Sequence, residues 1–74
     1  MSITISENTE IEQNIYDKII LINTVTEIRL PPGPGSFKIV NIQNNTDHTV
    51  LIKDYNNTKN INLESNTSTL VMIL

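Results

Sequence analysis

Few side chains in this sequence can move protons or hold an ion, and their spacing limits the chemistry available. His48 is the only histidine and follows Asp47 in a polar stretch. A catalytic histidine needs a nucleophile and an orienting group converging on it in an enclosed pocket, and the sequence supplies only the adjacent aspartate. The pair reads as part of a turn. Glu7, Glu10 and Glu12 form an acidic cluster. It lacks the dense Asp/Asn alternation around a central glycine that a calcium loop uses, so it reads as a solvated segment. Pro31-Pro32-Gly33-Pro34-Gly35 holds every proline and glycine of the chain. No Lys-Ser/Thr follows it to hold a phosphate, so it reads as a hairpin or crossover loop. Tyr16, Phe37 and Tyr55 are the only aromatics, too few for a sugar-stacking platform. Cysteine is absent, which removes disulfides and, with a single histidine, removes a zinc site of the usual four nitrogen or sulfur ligands. The expectation is a protein that is not an enzyme, with no catalytic residue, cofactor or metal.

Charge and hydropathy narrow the partners. The net charge is −3, and the five basic residues, Lys18, Arg29, Lys38, Lys53 and Lys59, are spread along the chain. Phosphate-backbone binding needs a concentrated basic face, so no nucleic acid is expected. The longest apolar runs, Ile19 to Ile22 and Leu70 to Leu74, fall far short of the ~20 residues that cross a bilayer, so no membrane insertion is expected. The opening residues show neither the basic start nor the apolar stretch of a signal peptide. The glycosylation-type triplets at Asn44, Asn56 and Asn66 read instead as turns.

The elements that must position these residues are strands. Ile (13), Val (4) and Thr (9) make up 26 of the 74 residues and Ala is missing, which favours pleated structure over helix. Ile3 and Ile5 alternate with polar neighbours. Glu7 to Asp17 reads as irregular or extended. Lys18 to Asn23 is a continuous apolar run of the kind seen when both faces of a strand are covered. Val25 to Leu30, Phe37 to Ile42, Val50 to Tyr55, Ile61 to Leu63 and Thr69 to Leu74 complete five or six strands, with asparagine-rich turns between them. The predicted fold class is all-β, a small antiparallel sandwich or barrel-like meander. It forms one domain over 1–74, with an N-terminal arm (1–17) and a β core (18–74).

Such a chain is short for independent stability. A domain of this size buries only about 60% of the surface its unfolded form exposes, and without a disulfide or metal the expected support is a partner subunit. Apolar residues on both faces of several strands point the same way. The expected oligomer interface is Val40, Ile42, Leu70, Val71, Met72, Ile73 and Leu74. Polar loops are where binding groups are displayed, so the expected receptor-facing residues are Asn44, Asn45, Asp47, His48, Asn56, Asn57 and Lys59.

The run Val25-Thr26-Glu27-Ile28-Arg29-Leu30-Pro31-Pro32, the spacer with Gly33 and Gly35, Phe37-Lys38-Ile39-Val40-Asn41 and then Thr49-Val50-Leu51-Ile52-Lys53 carry a resemblance. Together with Ile61-Asn62 and Leu70-Val71-Met72-Ile73, they are similar to a β-module of bacteriophage and large-virus fibre, tail or capsid-decoration proteins. The resemblance covers Ile19 to Leu74. It departs from the pattern at Leu63, where a glycine often stands. It implies a homotrimeric virion structural protein, a fibre head, attachment tip or capsid decoration, located in the virion and acting without a cofactor. Its partners would be other virion proteins or a host surface receptor. The alternative is a small β interaction module, an adaptor or inhibitor in the cytoplasm of the host cell, that offers a sheet edge to a protein partner.

Overall fold

A computed structural model describes residues 1–33, 35 and 38–73. Eight strands are present among them and no helix: β1 (Ser2–Ile5), β2 (Thr9–Glu10), β3 (Lys18–Leu21), β4 (Glu27–Arg29), β5 (Lys38–Asn44), β6 (Val50–Lys53), β7 (Asn60–Leu63) and β8 (Ser68–Ile73). The all-β expectation therefore stands. The expected start of a strand at Phe37 lies outside the described residues.

The strands alternate between two sheets as the chain advances. Sheet A has the order β1-β3-β5-β8 and sheet B the order β2-β4-β6-β7. The first six strands form a coil: β1, β3 and β5 run parallel in one sheet, while β2, β4 and β6 run parallel in the other. Ser2 lies opposite Lys18, and Lys18 opposite Asn41, so the second turn of the coil takes more chain than the first. Parallel neighbours need a long crossover, commonly a helix; here the crossover is a strand of the other sheet. The chain then doubles back, β7 running antiparallel to β6 and β8 antiparallel to β5. The expected antiparallel meander is corrected to two mixed sheets. Closely spaced turn signals suit a hairpin and a corner between sheets equally well, and most of these turns are corners.

Coiling stacks like on like along each sheet. Ile3, Ile19 and Ile42 occupy one row on the inner side of sheet A, and Ile28 and Ile52 form a row of sheet B. With Ile5, Leu21, Val25, Val40 and Val50 they form a single buried core drawn from both sheets. The first seventeen residues are part of this body and not an arm beside it, because β1 and β2 are paired strands and Ile5 and Ile11 are buried in the core.

Asparagine shapes the corners in two ways. Asn23, Asn57 and Asn66 take positive φ, at 60°, 56° and 58°, a conformation asparagine tolerates better than most residues. Asn8 and Asn14 use their side chains to tie one turn of the coil to the next. Asn8 Oδ1 accepts from the Thr26 and Glu27 amides at 2.7 and 3.2 Å, and Asn14 Nδ2 donates to the Pro32 carbonyl at 3.1 Å.

Candidate functional site

The corner after β5 gathers most of the buried polar chemistry. Asn44 continues the inward parity of Val40 and Ile42 and is fully buried at 0% exposure. Its amide nitrogen donates to the carbonyls of His48 (2.9 Å), Leu63 (2.9 Å) and Glu64 (3.2 Å), while its oxygen accepts from the Thr46 amide (2.9 Å) and hydroxyl (2.6 Å). Ser65 Oγ donates to the Thr46 carbonyl at 2.6 Å. One side chain thus fastens the β5–β6 corner to the turn between β7 and β8. Asn44 is a structural residue of the interior, which corrects its expected place on a receptor-facing loop: its amide has no group left for an outside ligand.

His48 closes the same corner against the previous turn of the coil. Nε2 lies 2.6 Å from the Val25 carbonyl and Nδ1 lies 2.9 Å from Asp47 Oδ1. Both neighbours only accept hydrogen bonds, so both contacts are made at once only by the doubly protonated imidazolium. The Val25 carbonyl first, then Asp47, raises the His48 pKa above its ordinary value, and the His48 bond holds the Asp47 carboxyl below its own. Ser6, Glu7, Asn23 and Thr24 complete a shallow open depression around the pair. A catalytic pair would need a nucleophile, and the hydroxyls lining this depression belong to Ser6 and Thr24, neither of which bonds to the imidazole. His48 is best described as a clamp.

This clamp gives a pH dependence with a definite sign. A group whose pKa rises on folding adds stability that is fully present below its unfolded value and is lost as the pH climbs through its folded value. Asp54 works in the opposite sense. Its carboxylate accepts from the Thr58 hydroxyl and amide and from the Lys59 amide, which lowers its pKa, so its contribution disappears in acid. Melting temperature is expected to decline as the pH rises above about 6.5, the ordinary histidine value, and His48 loses its proton. His48→Gln is expected to flatten that decline in melts recorded across the range. An equal slope in the variant would show that another group titrates.

The other expected binding residues separate by exposure. Asn45 and Asp47 are exposed on the first loop, and Asn56, Asn57 and Lys59 on the second, where Asp54 staples the turn. Of the residues expected at an interface, Val40, Ile42 and Ile73 are buried in the core and Val71 packs against it. Val40, Ile42 and Ile73 thus belong to the interior and not to an outer interface, because they sit in the core drawn from both sheets. Leu74 lies outside the described residues. Leu70 and Met72 remain open at 67% and 57% exposure.

The outer faces of the two sheets differ sharply. On sheet B, Arg29 pairs with Glu10 at 2.8 Å and stands 5.7 Å from the centre of the Tyr55 ring, and Lys53 pairs with Glu27 at 3.3 Å. Charge there is paired across neighbouring strands. On sheet A the end formed by β5 and β8 carries Ile39, 49% exposed, directly opposite Met72, with Leu70 opposite Asn41. Those three apolar side chains lie together on the outer face, with exposed Lys18 of β3 beyond Asn41 in the row of Leu70. Sequence reading missed the role of Ile39, although its parity, opposite to Val40 and Ile42, was a usable signal.

Among the described residues no group of three or more His, Asp or Glu side chains is placed to hold a metal ion. Comparison of the chain with protein-family models, with curated proteins and with solved structures gives no match in any of the three.

Proposed function

We propose that this chain is a non-enzymatic structural module of a virus particle, built to assemble with copies of itself and with neighbouring virion proteins. The observation that carries the reading is the apolar outer strip of Ile39, Leu70 and Met72 along the edge strand β8. Exposed apolar side chains scattered singly need no explanation, but a contiguous group on an unprotected sheet edge marks a surface made to be covered. The resemblance adds the setting, a virus particle, since the strand, Pro/Gly spacer and following strand that carry it run here from β4 to β5. In that role the two sheets act as the layers of a small sandwich-like body. Asn45, Asn56, Asn57 and Lys59 are the polar loop groups it would offer to a receptor or a neighbour.

The reading is tested by mass spectrometry of purified virus particles against extract of the infected host cell. Recovery of the chain in the particles at a fixed ratio to other structural proteins is expected. Recovery only in the extract, bound to a host or viral protein, would replace this reading with that of an adaptor or inhibitor.

A further inference from the structure

A sheet grows at its edges, where one side of the backbone has no partner. Among the described residues the edges of the two sheets are β1, β2, β7 and β8. β2 is two residues long and ends at Glu10, held by Arg29. β1 turns the polar Ser2 and Thr4 outward, and β7 is bracketed by Lys59 and Glu64. β8 is longer and more apolar: six residues, Ser68 to Ile73, with no charge, proline or glycine among them and with Leu70 and Met72 open on its outer face. It lacks the devices by which natural edges avoid pairing.

The hydrogen-bond phase of β8 is also fixed. Asn44 N donates to the Thr67 carbonyl at 2.8 Å, in line with the register that sets Ile42 opposite Thr69 and Val40 opposite Val71. Bonded pairs alternate along an antiparallel ladder, so Thr69, Val71 and Ile73 direct their backbone groups to β5. Ser68, Leu70 and Met72 direct theirs to the open edge. The residues with free N–H and C=O groups are therefore those whose side chains lie on the outer face.

We propose that β8 pairs antiparallel with β8 of a second copy about a two-fold axis at Leu70, setting Leu70 opposite Leu70 and Ser68 opposite Met72. This rests on the reading of the chain as an assembling module and adds its partner and symmetry. Pairing in this register uses every free backbone group of Ser68, Leu70 and Met72. On the outer face it joins Ile39, Met72 and Leu70 to the same three residues of the second copy in one apolar stripe. Electrostatics permit it. Each copy carries a net charge of −3, yet the seam itself is uncharged. Lys38, opposite Ile73 on β5, is kept at least three strand spacings from its counterpart, about 14 Å and beyond the screening length of about 8 Å at physiological salt. A single strand pair falls short of the roughly 800 Å² per partner of a standard interface, so the dimer forms and dissociates with concentration.

The full-length chain with Leu70→Cys carries a single thiol. Opposite residues in a bonded antiparallel pair lie about 5.5 Å apart between Cα atoms, within disulfide reach, so mild oxidation should convert the variant to a covalent dimer. Met72→Cys should remain uncrosslinked, because the two copies of that residue stand four positions apart along the seam, about 13 Å. Native mass spectrometry of the unmodified chain accompanies both. A dimeric mass with crosslinking at position 70 alone supports the pairing. Crosslinking at position 72 and not at 70 overturns the register. A trimeric mass overturns the two-fold axis and leaves the assembling module standing, whereas a monomer at every concentration overturns both.

Discussion

Asn44→Ala is expected to lower stability by about 3 kcal/mol, since a buried polar group left without a partner costs about 1–3 kcal/mol and the lost side chain leaves a gap in the interior. The substitution strands the buried amide of Thr46 and takes one bond each from the carbonyls of Leu63 and Glu64, of which Glu64 keeps the Thr67 hydroxyl at 2.7 Å. The His48 carbonyl keeps its bond from the Thr46 hydroxyl at 2.9 Å, which limits the loss. For a domain of 74 residues whose total stability is on the order of 4–11 kcal/mol, this removes much of what holds it folded. The melting temperature should fall by roughly 15 °C. Asn44→Asp separates hydrogen bonding from packing. It keeps the shape but aims a carboxylate at three carbonyl oxygens, so it should be at least as damaging near neutral pH and partly rescued in acid, where a protonated carboxyl donates once more. Near-native stability of either variant in a thermal melt would mean that the corner is held by something other than Asn44.

The second large effect belongs to the centre of the core. Leu21 is fully buried on β3, between Ile5 of β1 and Asn44 of β5 in the same row. Leu21→Ala removes three carbons where strands on both sides fix the backbone, so the cavity cannot collapse readily. A cost of about 3 kcal/mol is expected, with a fall in melting temperature of about 15 °C. Leu70→Ala serves as the internal control. Leu70 is the same residue type but 67% exposed at an edge, and its truncation should shift the melting temperature of the dilute protein by no more than a few degrees. Equal losses at the two positions, measured by denaturant unfolding, would contradict the assignment of Leu21 to the core and Leu70 to the surface.

These two residues also mark where the sequence was legible and where it was not. Alternation reveals which face a residue occupies, and it identified the strands at Ile3 and Ile5, at Val40 and Ile42, and at Val50 and Ile52. The continuous run around Leu21 suggested a strand covered on both faces, whereas only the inner face is covered: Ile19 and Leu21 are buried, while on the outer face Ile20 is half-buried and Lys18 exposed. A period of two residues carries no information about which strand lies alongside. The winding between two sheets was therefore invisible, and a meander was the simpler expectation. Asn44 was misread because asparagine beside Asn45 looks like a turn. Its position two residues beyond Ile42 was the signal that it pointed inward. At the carboxyl end the run from Leu70 to Ile73 is apolar at every position, so parity could not separate the exposed Leu70 and Met72 from the core residue Ile73. The pairing of β8 with β5 in space was needed to do so.

The corner built on Asn44 and His48 and the edge built on Leu70 and Met72 divide the molecule's work. The first holds successive turns of the coil together and titrates with His48; the second offers a neutral strand to a copy. Sheet B, with its charges already paired across the outer face, is the less apolar of the two surfaces.

The most direct test of the assembling-module account is the solution mass of the intact chain by light scattering over a tenfold range of concentration, compared with Leu70→Lys. An edge lysine leaves the fold intact and puts two like charges opposite each other at the seam. The account predicts that the native chain rises with concentration to a multiple of its single-chain mass of 8.4 kDa, while the variant keeps the mass of one chain throughout. A native chain that keeps the mass of one chain at every concentration, or a variant that assembles as the native chain does, would contradict it.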